Sequence, residues 1–169
     1  VESVSAINLR EVTVTFDAEL TDEQATEAVK ASNYEVYAED SINTDLVDGT
    51  GANVKLSDDK MSVRILLENG ATLAQDKTEN KVVVKEAIGL AEDYTSTTVA
   101  SSDVSIPQLA SVEVIGNKTL KFKFSEAVDN LDDLTGTESN FSYRSTGTSS
   151  WTKIDNTATL TAADDLRSV

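Results

Sequence analysis

The chain has 169 residues, with 30 Asp and Glu against 14 Lys and Arg, giving a formal charge of −16 and a pI near 4.2. That balance excludes nucleic acid as a partner, because a phosphate backbone is held by clustered cations that replace its counterions, and it disfavours anionic membrane for the same reason. With no Cys and no His, thiolate nucleophiles, disulfides, Cys/His zinc sites and His-dependent triads are excluded together.

No apolar run approaches the roughly 18 residues of a membrane span, and no signal peptide is visible, so membrane insertion is not expected. The start at Val1 rather than Met reads as a mature form or an excised piece. Ser and Thr account for 38 residues and Pro for one, a composition that suits β-strands joined by polar turns. The hydrophobic content of 39% is too high for a disordered acidic tail.

Alternating apolar and polar residues predict strands over residues 3–7 and 12–16, the second with Val12, Val14 and Phe16 on one face and threonines on the other. A helix follows, capped by Thr21. Asp22 and Glu23 suit its positive end, Gln24 completes a capping-box spacing, and Ala25, Ala28 and Val29 form an apolar stripe up to Ser32-Asn33. Further strands are predicted over 34–38, 52–56, 62–68, 81–86 and 98–106. Seven short strands in about 105 residues have the count and spacing of an immunoglobulin-like sandwich.

The pattern then starts again. Val4, Val12, Val14, Phe16 and Leu20 align with Val112, Leu120, Phe122, Phe124 and Val128 at an offset of 108. Ser32-Asn33-Tyr34 aligns with Ser139-Asn140-Phe141 at 107, and Asp58-Asp59 and Val63 align with Asp164-Asp165 and Val169 at 106. Several matches in order imply two copies of one module, the drift being loop insertions. The only proline, Pro107, marks the boundary. The expected division is a module at 1–107 and a second of the same type at 108–169, truncated at its C-terminal side. In the second copy, Asp129-Asn130-Leu131-Asp132-Asp133-Leu134 replaces the helix with a turn or loop. Phe16, Tyr34, Phe122 and Phe124 are expected in the cores.

Carboxylate pairs recur, but glycoside hydrolysis by two acids needs a cleft and aromatic platforms, and aromatics are scarce and scattered. The Gly49-Thr50-Gly51 segment completes no phosphate-binding pattern. No catalytic residue and no enzyme activity is expected. Calcium is the better use for such side chains, since it takes six to eight oxygens from loop carboxylates, amides and carbonyls. The candidate ligands are Asp45, Asp48 and Asn53 in one loop, Asp129, Asp132 and Asp133 in another, and Glu92, Asp93 and Asp103 at the junction. None has EF-hand spacing, and the plain alternative for each is a solvated polar turn. The surplus of negative charge nonetheless favours divalent cations on the chain as a whole.

The phrases V-S-A-I-N-L-R-E-V-T-V-T-F-D-A-E-L, S-N-Y-E-V, N-K-V-V-V-K-E-A-I-G-L-A-E-D and F-S-E-A-V resemble the immunoglobulin-like modules of bacterial surface-layer (S-layer) proteins, most of all those of Bacillus and related Gram-positives. The resemblance spans essentially the whole chain. It implies tandem all-β immunoglobulin-like sandwiches, one short helix in the first, within a secreted protein of the cell wall. Such a protein self-assembles into a two-dimensional lattice, often with calcium. Its partners would be lattice neighbours of its own kind and adjacent modules of the same chain. Cell-wall polymer would be reached only through anchoring modules not visible in this sequence. Similar modules also occur in adhesins and extracellular enzymes, so the alternative expectation is a stalk or a carbohydrate- or receptor-binding module.

Overall fold

A computed structural model describes the chain apart from residues 40–44, 48–51, 69, 102–105, 129–140, 155–157 and 165 and the side chain of Lys77. Among the described residues the chain is mostly β, with several antiparallel sheets and one α-helix, and it divides into two compact units, Val1–Ile106 and Pro107–Val169.

In the first unit, β1 (Ser3–Ala6), β2 (Glu11–Thr15), β5 (Ser62–Leu66) and β4 (Asn53–Leu56) form one sheet in the order β1-β2-β5-β4. A second sheet has the order β3-β6-β7, from β3 (Tyr34–Tyr37), β6 (Lys77–Val84) and β7 (Tyr94–Ser101). All neighbouring strands are antiparallel. The alternation in the sequence decides which face goes inward. Val12 and Val14 are fully buried while Thr13 and Thr15 stay half exposed, and Val63 and Ile65 on β5 lie opposite them in register. The other sheet contributes Val36, Val82, Val84 and Val99, so both sheets close on one apolar core with Phe16 and Tyr34.

Helix α1 (Asp22–Ala28) is held at its start by the expected capping box: Gln24 N donates to Thr21 Oγ1, and Thr21 N donates to Gln24 Oε1. Gln24 also lies against Gly89, whose φ of +93° ends a short 3₁₀ turn (Glu86–Ile88) that buries Ile88. A Cβ at position 89 would come within 2.7 Å of Gln24 Nε2, so glycine is required there twice over, for its backbone angle and for space. A second 3₁₀ turn, Ala31–Asn33, leads into β3, and the Tyr34 hydroxyl donates to Ala28 O at the end of α1.

Two strands depart from the sequence reading. β6 begins at Lys77 rather than 81, and β7 at Tyr94 rather than 98. Asn80 is the reason for the first. It is fully buried at a break in register between β6 and β7, where its Oδ1 accepts from Ala74 N and its Nδ2 donates to Val99 O and Ser101 Oγ. A polar residue at an inward position disguises the strand, yet its three hydrogen bonds make the burial tolerable. The register opposite Val82–Val84 then carries β7 back to Tyr94.

In the second unit, β8 (Leu109–Gly116) and β9 (Thr119–Phe124) form a hairpin, and β10 (Ser142–Tyr143) pairs with β11 (Thr152–Lys153). Val112 faces Phe122, and Lys123 is bridged to Ser168. Phe124 N donates to Arg167 O at 2.8 Å and Val128 N to Leu166 O at 2.9 Å. Phe122 is buried, its ring centroid 4.8 Å from that of Phe141, while Phe124 is half-buried.

Candidate functional site

Four of the nine sequence-derived calcium candidates can be placed, all in the first unit. Asp45 follows β3, and its Oδ1 accepts from Val36 N (2.9 Å) and Val47 N (3.1 Å). Its neighbours Leu46 and Val47 are buried, and Leu46 N donates to Val36 O, so the carboxylate pins a loop whose apolar residues enter the core. Asn53 opens β4 opposite Leu66 and is half-buried. Glu92 is exposed. Asp93 caps the 3₁₀ turn, its Oδ1 accepting from Glu86 N at 2.8 Å, while its Oδ2 lies 3.4 Å from Lys85 Nζ. Asp48, Asp103, Asp129, Asp132 and Asp133 lie outside the described residues.

Among the described residues no group of three or more acidic side chains is arranged to hold a metal ion. Two of the four placed candidates are engaged by the protein's own donors, and Asp93 by a cation as well. Calcium takes six to eight oxygens, so a site built on any of the four must draw on further residues.

What the structure does assemble is a polar cluster on the outer side of the β3–β6 pair. Lys85 reaches Glu35 Oε1 at 2.5 Å as well as Asp93, and the Tyr37 hydroxyl donates to Glu35 Oε2 at 3.1 Å. Lys81 Nζ sits 4.7 Å from the centre of the Tyr37 ring, a cation–π contact. The Lys85 ammonium holds the Glu35 carboxyl below the ordinary carboxylate range. Asp93 is lowered first by the Glu86 N–H and then by Lys85. Lys85 is raised in turn, chiefly by Glu35. Burial, helped by Glu35, raises the Tyr37 phenol.

Beside this cluster, Ala31, Ser32, Tyr34, Glu35, Tyr37, Asp45 and Val47 line an open depression of about 560 Å³. Among the described residues its polar lining is acidic or hydroxylic, from Ser32, Tyr34, Glu35, Tyr37 and Asp45.

Sequence reasoning missed this cluster because its members, 35, 37, 81, 85 and 93, are far apart along the chain. The β3–β6 register, with Tyr37 opposite Lys81, and the 3₁₀ turn that Asp93 caps bring them together. It also missed Glu11, 1% exposed, which accepts from Asn8 Nδ2 at 3.0 Å and lies 3.8 Å from Arg64 Nη1. The Asp58-Asp59 pair likewise belongs to a turn: Asp59 Oδ1 accepts from Ser57 Oγ and Met61 N, and the serine contact in particular lowers its pKa.

No helix among the described residues is long and apolar enough to cross a membrane. Compared with known proteins, the chain matches no family model and no curated protein.

Proposed function

We propose that the chain is a structural, non-enzymatic part of a secreted bacterial surface layer, built from tandem immunoglobulin-like modules. These modules contribute lattice contacts and spacing, with calcium assisting assembly. The observation that carries the modular part is the strand order. Lettering β1–β7 of the first unit as A–G, its sheets read A-B-E-D and C-F-G, the arrangement of a seven-stranded immunoglobulin sandwich.

The second unit supports a copy of the same module through its backbone pairings. Thr15 faces Ser62 and Lys123 faces Ser168, offsets of 108 and 106. Phe16 N donates to Met61 O as Phe124 N does to Arg167 O, and Leu20 N to Lys60 O as Val128 N does to Leu166 O. Lys60 and Leu166, again 106 apart, both take left-handed backbone angles, φ 53° and 52°. These are the offsets at which the sequence aligns with itself.

The function is argued from that modularity, from the resemblance of the strand phrases to S-layer modules, and from an acidic surface with few cations. Ordered sheets formed by the parent protein, imaged with and without a chelator, are the test. Sheets that dissolve on chelation and re-form with calcium support the reading, and failure to assemble under any calcium condition refutes it. One observation favours a second reading, a carbohydrate-binding module. Trp151 is 65% exposed, with the Arg144 guanidinium 4.9 Å from its ring centre, an aromatic surface of the kind sugars stack on. Saturable glycan binding abolished by Trp151→Ala would favour that alternative.

A further inference from the structure

We propose that the apolar face of the β8–β9 hairpin receives a pair of antiparallel β-strands from polypeptide outside residues 107–169, with the apolar alternation of β6 and β7. The inference rests on the module reading above.

In the first unit the inward face of β1–β2 is covered by the core. Val12 and Val14 are completely buried, and Val4 and Ala6 pack on the core that Val82, Val84 and Val99 supply from β6 and β7. In the second unit Leu120 and Phe122, aligned with Val12 and Val14, are half-buried and buried, but Val112 and Val114, aligned with the half-buried Val4 and Ala6, are 48% and 76% exposed, and Tyr143, aligned with the fully buried Val36, is 47% exposed. The opposite face of the same hairpin carries charge in register: Lys123 Nζ pairs with Glu113 Oε1 at 2.8 Å, and Glu113 lies opposite Lys121. Thus β8–β9 has the two-faced pattern of a half-buried strand pair whose core face is only partly covered, Phe122 being buried while Val112 and Val114 stay exposed. No strand among the described residues of the second unit takes the place of β6 and β7.

The occupant follows from what closes the first unit. An aligned backbone register presents the same inward positions, so the complement is a strand pair with branched apolar side chains at every second residue, bounded by polar ones. A second copy of this chain is a poor donor, because its own Val82, Val84 and Val99 are at most 1% exposed and its sandwich would have to open first.

The test uses the 169-residue chain and a synthetic peptide with the sequence of residues 76–101, which spans β6 and β7. Amide hydrogen exchange is followed by NMR. The proposal expects saturable slowing of exchange across β8 and β9 by about tenfold or more. It also expects loss of that effect for a peptide carrying V82D and V84D, and for the chain variant Val114→Asp, which leaves the melting of the first unit unchanged. No slowing, equal slowing by the V82D/V84D peptide, or slowing that grows with chain concentration in the absence of peptide each overturns it, the last in favour of a second copy. The free chain separates the two levels of argument. Slow exchange at Phe124 and Val128, hydrogen-bonded to Arg167 and Leu166, with no response to peptide sinks this inference alone. Fast exchange at both sinks the module reading with it.

Discussion

Asn80 is where the first sandwich is most exposed to failure by a single atom. Its amide satisfies Ala74 N–H and Val99 C=O and donates to Ser101 Oγ, which itself donates to Ala74 O, all inside the core. Replacing it by Ala strands one backbone donor and one backbone acceptor, each costing about 1–3 kcal/mol when buried without a partner. The expected loss is therefore about 3 kcal/mol, a large part of the roughly 5–15 kcal/mol that holds a domain together. In a unit of about 100 residues that corresponds to a fall in melting temperature of about 15 °C.

Asn80→Asp sharpens the test. Its Oδ1 keeps the bond from Ala74 N, but an anionic oxygen then faces the Val99 carbonyl, and burial raises the folded pKa above the ordinary value near 3.9. The penalty is accordingly small below about pH 4 and grows by about 1.4 kcal/mol per pH unit as pH rises toward the raised folded value. Urea unfolding followed by far-UV circular dichroism at pH 4 and pH 7 measures both variants. Trp151, the single tryptophan, lies in the second unit and reports on that unit separately. If Asn80→Ala stays within about 0.5 kcal/mol of the parent, the cost expected of an ordinary surface change, the structural role given to Asn80 is wrong. An Asn80→Asp penalty independent of pH would be equally damaging.

Tyr34→Phe removes the donor to Ala28 O and should cost about 1–2 kcal/mol in the same urea experiment. Gly89→Ala forces a side chain into a left-handed backbone and onto Gln24, and is expected to destabilise by about 1–2 kcal/mol. Lys85→Met should flatten the acid limb of the stability profile. Glu35 and Asp93 have lowered folded pKa values, so their contribution is complete above the ordinary carboxylate range and disappears as pH falls through the folded values. Lys85, raised, contributes below its ordinary value near 10.4 and is lost only as pH climbs through the raised one. A variant whose melting temperature falls with acid as steeply as the parent's would show that this cluster is electrostatically idle.

Much of the fold was legible because burial in a sandwich imposes a period of two that the sequence has to obey. Val12, Val14 and Phe16 are inward as read, and the capping box at Thr21 and Gln24 forms as its spacing requires. Legibility failed where a polar side chain occupies an inward position. Asn80 hid the first half of β6, since its partners at 74, 99 and 101 are visible only once β6 and β7 are paired. The site was less legible than the fold for a related reason. Sequence identifies oxygen donors, but Asp45, Asp59 and Asp93 turn theirs to nearby backbone N–H groups, an outcome set by turn geometry rather than residue type. The approach of Glu35 to Lys85, by contrast, follows from the pairing of β3 with β6, which no local pattern announces.

The charge of the first unit leads to the last prediction. Residues 1–107 hold eight Lys and Arg against 21 Asp and Glu, a net of −13, whereas residues 108–169 carry −3. Four of these cations are already committed to carboxylates: Lys30 to Glu27, Lys60 to Asp22, Arg64 to Glu11 and Lys85 to Glu35 and Asp93. Eight cations cannot neutralise 21 carboxylates, so relief of the remaining repulsion comes from solution, either by screening or by bound divalent ions. The two are separable by melting the chain in NaCl and in CaCl₂ at equal ionic strength. Screening depends on ionic strength and raises the melting temperature about equally in both, with most of the gain reached once the Debye length falls to about 10 Å. Binding to the folded state adds a further rise with calcium that keeps growing as the logarithm of its concentration, about 1.4 kcal/mol per decade for one site above its Kd. The proposed calcium-assisted assembly through the first unit requires the second pattern. Coincident curves in the two salts would leave the acidity as a solubility property and remove calcium from the proposal for this unit.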